Sequence, residues 1–136
     1  MIKVHKVNAD KVYEVWSEVK GFLEASIETN TGDCTLDQLK LLLTQGLQHL
    51  LVGLEDDRIV GAMAVEFVNY PNQRVMFITA LGGKRVVSNE VFSQVEDWAR
   101  AQGATKSAAW AKESQARLYK QKAGFNTMRF VMEKKL

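Results

Sequence analysis

The chain has 136 residues, 46% of them hydrophobic and 25% charged, with a formal net charge of +2. That length suits one domain with a single core, expected over residues 1–136. The small net charge gives no argument for nucleic acid, no apolar run approaches the ~20 residues of a bilayer span, and a lone cysteine, Cys34, excludes an internal disulfide framework.

The first residues, Met1 to Lys6, alternate and lack the apolar stretch of a secretion signal. With the single cysteine this leads us to expect a reducing, cytoplasmic setting and no membrane. Ile2 to Val7 reads as a strand, and Asn8 is a candidate cap for the helix that follows. Val12, Val15, Trp16, Val19, Phe22 and Leu23 recur at helical spacing. Glu28 to Asp33 is polar and contains Gly32, a loop signal. Thr35 with Gln38 forms a capping box, and Leu36, Leu39, Leu42 and Leu43 carry a second helix that ends at Gly46.

Strands come next. Leu47 to Leu54 is one, Glu55 to Asp57 a tight turn, and Arg58 to Tyr70 a long second strand. Pro71 to Gln73 turns again, and Arg74 to Leu81 is the third strand. Two short turns predict an antiparallel meander, which Gly82 and Gly83 interrupt. Val91, Phe92, Val95, Trp98 and Ala99 make the apolar stripe of a third helix, closed by Gly103. Ala104 to Trp110 is an Ala-rich strand, Lys112 to Ala123 a fourth helix, and Asn126 to Lys134 a final strand. From Lys106 to Leu136 there are eight Lys or Arg against Glu113 and Glu133. Such a basic segment suits a solvated face, a phosphorylated cofactor, nucleic acid or an acidic partner.

The end of this order carries the most information. The third helix closes as Trp98-Ala99-Arg100-Ala101-Gln102-Gly103. A strand and the stretch Glu113-Ser114-Gln115-Ala116-Arg117-Leu118-Tyr119-Lys120-Gln121-Lys122-Ala123-Gly124-Phe125 follow. This resembles the cofactor half of the GNAT superfamily of N-acetyltransferases, and the whole element order is similar to that fold. The run Gln48-His49-Leu50-Leu51-Val52, the Tyr70-Pro71 turn and Leu81-Gly82-Gly83 also resemble small GNAT-like proteins encoded by bacteriophages. The resemblance implies an α/β (α+β) fold with a mixed, mostly antiparallel central sheet and four helices on its two faces.

The resemblance further implies acetyl-CoA as cosubstrate and an amine acceptor, a small molecule or a protein. Pantetheine would pair with a free strand edge, here Phe77, Ile78, Thr79, Ala80 and Leu81. The pyrophosphate would sit at the start of the following helix. The family's cradle, Arg/Gln-x-x-Gly-x-Gly/Ala, falls on Gly83 to Ser88. Ser88 is small enough for it, Val86 stands where glycine is usual, and Gly82, Gly83, Lys84 and Arg85 supply backbone freedom and charge instead. On the fourth helix Ala116, Gly124 and Phe125 match the family pattern. Glu113 takes the Asn slot and Lys120 the Tyr slot, while Tyr119 lies one place early, about 100° around the helix. Tyr119 is therefore either the acid for the leaving thiolate or a core residue. Lys120 is an acid, a cation for phosphate, or a solvated lysine. Glu66 is the candidate base through water, or the polar face of a half-exposed strand. His49 has a suitable pKa for a base but sits alone. No spacing of His and Cys suggests a metal. The short segment after Gly124-Phe125 leaves a sheet edge that a second copy could complete. Three functions stand open: an acetyl-CoA-dependent transferase, a non-catalytic GNAT-like binding protein docking on a host or virion component, and a nucleic-acid module using the basic end.

Overall fold

The computed structural model describes residues 1–28 and 33–136. Strand β1 is Lys3–Val7. A 3-10 turn at Ala9–Lys11 leads into α1, Val12–Glu28. Helix α2 is Leu36–Thr44, followed by β2 (His49–Glu55), β3 (Arg58–Tyr70), β4 (Gln73–Gly83), α3 (Asn89–Ala101), β5 (Lys106–Ala109) and α4 (Glu113–Ala123). The sheet runs in chain order, β1-β2-β3-β4-β5. Neighbours are antiparallel except β4 and β5, which are parallel.

Most boundaries follow from local chemistry. Asp56 and Asp57 adopt φ of 51° and 63°, the conformation a two-residue hairpin turn demands. The Thr35 side chain accepts from Gln38 N–H while the Gln38 side chain accepts from Thr35 N–H, so the expected capping box is formed. The second strand begins at His49 rather than Leu47. The N–H groups of Leu47 and Gln48 both donate to the Leu42 carbonyl, closing α2 around Gly46. The polar loop expected from Glu28 to Asp33 starts inside α1 at Glu28, and residues 29–32 lie outside the described residues.

Strand alternation splits the core in two. Leu50, Val52, Ala62, Ala64 and Ala80 face α1 and α2, packing against Val12, Trp16, Val19, Leu23, Leu39 and Leu43. Leu51, Met63, Val65, Met76 and Ile78 face α3, against Val91, Phe92, Val95 and Ala99. Among the described residues no helix is long and apolar enough to cross a membrane.

Two expectations are corrected. Gly82 and Gly83 do not interrupt the third meander strand. They end it, paired with Ala62 and Gly61. They are glycines because of crowding: a Cβ on Gly82 would run into the Phe22 carbonyl of α1, and Gly83 stands at φ 122° against the Gly61 backbone. The final strand expected over Asn126 to Lys134 does not form, because β5 ends the sheet and this segment has no ladder partner. Its alternating pattern is real, yet Phe130 and Met132 are 89% and 91% exposed.

Candidate functional site

Strands β4 and β5 part company halfway along β4. Val75, Met76, Phe77 and Ile78 pair with Lys106, Ser107, Ala108 and Ala109; β5 then stops while β4 continues to Gly83. At the same point β4 carries a bulge: Val65 of β3 faces Ile78 and Ala64 faces Ala80, leaving Thr79 as the extra residue. Of the proposed edge residues, Ile78 is the last one held by β5. Thr79, Ala80 and Leu81 lie beyond it. Ala80 is buried, and the Leu81 N–H donates to Ser26 Oγ of α1 at 3.3 Å. The Thr79 hydroxyl lies 2.7 Å from Gln48 Oε1 and 3.1 Å from the Ala64 carbonyl. Neither Gln48 nor Ser26 was selected by sequence reasoning. Gln48 was findable, as the one polar residue at the inward parity of 48, 50 and 52.

Beyond Gly83 the chain reaches α3 through Lys84 to Ser88. Val86, at the position where the family's cradle has glycine, is 3% exposed. Its side chain fills a hollow made by Gly53 and Gly61; a Cβ on Gly61 would collide with it. Val86 is thus turned into the core, where it pins the loop instead of crowding its outer side. Arg85 adopts φ 63° and pairs with Glu55, which also lies 3.7 Å from the N-terminal ammonium. That pairing raises the Arg85 pKa and lowers that of Glu55. Lys84 is exposed. Ser88 caps α3, its hydroxyl accepting from Val91 N–H at 3.2 Å, and Glu90 places a carboxylate in the first turn. At the bulge and splay, Thr79, Ala80 and Leu81 of β4 have no β5 partner, and the Leu81 N–H is engaged by Ser26. The loop offers helix N–H groups and Lys84, with Arg85 already engaged.

Helix α4 ends at Gly124, φ 73°, and Phe125 N–H donates to the Tyr119 carbonyl. The Tyr119 ring packs on Phe125 and Phe92, with centroids 5.3 and 6.1 Å away. Its hydroxyl bonds no protein group, and no buried side-chain polar atom among the described residues lacks a partner, so the oxygen opens to solvent. Burial pushes the phenol pKa up, so the group stays protonated at neutral pH. Lys120 is exposed. Glu66 sits opposite Phe77 on β4, and by alternation shares the α1–α2 side of the sheet with Ala62 and Ala64. Phe77 in turn meets the ring of Trp110, just past β5, edge-on at 5.2 Å.

His49 stands elsewhere. It packs against Phe67 and Trp98, at 5.5 and 6.0 Å, on the α3 side. Burial, Lys6 and Arg74 all lower its pKa. The Cys34 thiol is raised by burial and by Asp33, the opposite of an activated thiolate. No group of three or more His, Cys, Asp or Glu among the described residues could hold a metal ion.

The fold is that of the GNAT acetyltransferases. An aminoglycoside acetyltransferase from an uncultured soil metagenomic sample, solved with trehalose, superposes with a TM-score of 0.72 at 14% identity, over 99% of this chain and 96% of that one. A predicted acetyltransferase from Clostridium acetobutylicum, solved with acetyl-CoA, gives 0.67 at 15% identity, over 99% and 96%. A GNAT family acetyltransferase from Staphylococcus aureus gives 0.66 at 14% identity, over 99% and 98%. No family model matches the sequence, and no curated protein sequence matches it.

Proposed function

We propose that this chain is a GNAT-like N-acetyltransferase that moves acetyl from acetyl-CoA to an amine. One observation carries the reading: β4 leaves β5 at the Thr79 bulge, which opens a strand edge in a fold shared with acetyltransferases. When bound, acetyl-CoA supplies the activated thioester. Thr79 to Leu81 form the edge for its pantetheine arm, with Ile78 as the last paired residue below. Gly82, Gly83, Lys84, Arg85 and Ser88 shape the phosphate end, with Lys120 as a further cation. Glu66 takes, through water, the proton the amine loses as the C–N bond forms. Tyr119 donates its proton to the sulfur as the C–S bond breaks. The acceptor is a small-molecule or protein amine. The soil enzyme's aminoglycoside activity makes polyamino sugars a sensible first screen. A second copy is the proposed partner at the open outer edge of β5.

Calorimetric titration of acetyl-CoA and CoA at moderate salt tests this. Micromolar binding is expected; no heat at millimolar ligand would overturn it. One pair of contacts favours a second reading, a non-catalytic binding protein on the same fold. The Leu81 N–H and the Arg85 guanidinium, both useful to a cofactor, are already bonded within the protein. On that reading the protein docks on a macromolecular partner, for instance a host or virion component.

A further inference from the structure

Gln48 is the one buried polar side chain among the described residues, 8% exposed. Its neighbours in parity, Leu50 and Val52, are core residues on the α1–α2 face, where an apolar side chain would be the default. A buried amide is costly unless its polar atoms are satisfied. Its backbone is fixed by the close of α2, through the 3.2 Å bond from its N–H to the Leu42 carbonyl. From there the side chain reaches from β2's start to Thr79 on β4, across β3 at Ala64, whose methyl group leaves room. Its Oε1 takes the Thr79 hydroxyl at 2.7 Å. Its Nε2 bonds no protein group, yet no buried polar side-chain atom lacks a partner, so Nε2 opens to solvent. Thr79 is both the bulge residue and the first residue of β4 past the Ile78–Ala109 pair. The amide is therefore anchored at one end to the residue where β4 leaves β5, and its donor end is unspent.

We propose that Gln48 is a binding and positioning residue for the acyl group, its Nε2–H donating to the carbonyl oxygen of a thioester held where β4 leaves β5. This rests on the acetyl-transfer reading and deepens it. An NH2 group is a donor only, and of the two states of the cofactor's reacting end only the thioester offers a good acceptor; the free thiol is a poor one. Gln48 accordingly distinguishes acetyl-CoA from CoA.

The test is calorimetry of acetyl-CoA and of CoA with the wild type, Gln48→Met, Gln48→Glu and Thr79→Val. Denaturation curves establish that each variant folds. Gln48→Glu keeps an oxygen for Thr79 and removes the donor, so it carries the test should Gln48→Met fail to fold. The readout is the ratio of the two affinities, which cancels any general effect of a new charge. Wild type should prefer acetyl-CoA by about fivefold, the size of one neutral hydrogen bond. Both Gln48 variants should lose that preference while CoA still binds. Thr79→Val, which frees the amide from its anchor, should lose part of it. A ratio unchanged in the Gln48 variants overturns the role of Gln48 and leaves acetyl transfer standing. Equal weakening of both ligands gives Gln48 a structural role only. A wild type that binds neither ligand overturns the acetyl-transfer reading and this inference with it.

Discussion

At the scale of single residues, Tyr119 offers a clean separation of structure from chemistry. Its ring packs on Phe92 and Phe125 while its oxygen bonds no protein group. Tyr119→Phe should therefore change stability by no more than about 0.5 kcal/mol in denaturant unfolding. Acetyl-CoA affinity should stay as it is, and turnover should fall at least tenfold if the phenol is the acid. Lys84 permits a similar separation in the loop, because it is exposed. Lys84→Glu should weaken CoA about fivefold, less at high salt, with little change in melting temperature. Gly83 would be a poor choice for that experiment, since any side chain there meets Val60 and Gly61 and costs stability directly. His49 gives the pH prediction. Its folded pKa is lowered by burial, Lys6 and Arg74. The unfolded chain therefore binds the proton more readily, and stability rises with pH across the interval. His49 contributes stability above its unfolded value of about 6.5, lost as pH falls through its folded pKa. Urea unfolding between pH 7.5 and 5 should show that loss, and His49→Gln should flatten the slope.

At the scale of elements, the loop before α3 is anchored in the core by one side chain. Val86 fills the hollow between Gly53 and Gly61, so the two glycines on β2 and β3 are the complement of one valine in a loop. Gly61→Ala should cost about 1–3 kcal/mol by overpacking, and Val86→Ala about 1–2.5 kcal/mol through the cavity it leaves. Together they should cost less than the sum of the two, because the new methyl group occupies the vacated space. A double-mutant cycle by chemical denaturation measures this coupling, and additive costs would refute the complementarity. CoA affinity should fall in Val86→Ala, because the loop loses its anchor.

At the scale of the whole molecule, the sheet is left open at β5. All four residues of β5 pair with β4, which runs on past Ile78 without a β5 partner, and among the described residues no strand covers the outer edge of β5. The segment after Phe125 presents Met128, Phe130 and Met132 to solvent. Removing residues 129–136 should leave the melting temperature within about 3 °C, since no strand pairing is lost. Should the segment be the adhesive element between two copies, sedimentation of the shortened chain should also show less dimer than that of the full one. The basic character of residues 106–136 is spread over α4 and this segment. Steep salt-dependent binding to DNA or RNA would favour the nucleic-acid reading, and its absence would remove it.

The sequence by itself determined the element order as far as α4, the Thr35–Gln38 box, the meander with its Asp56-Asp57 turn, and the Gly124 stop of α4. These rest on interactions between residues close in the chain, where spacing and backbone preference act alone. Glu66 and Tyr119 could be named from the family resemblance, but neither could be placed. Only the tertiary structure decided that Tyr119 packs its ring into the core. The same is true of Val86 turning inward to meet two distant glycines, of Arg85 being taken by Glu55, and of Gln48 reaching across Ala64 to the bulge. Each of these joins residues far apart in sequence, so no local pattern records it. The Asn126 to Lys134 segment shows the converse: alternation gave it the preference of a strand, but a strand exists only where another edge receives its hydrogen bonds.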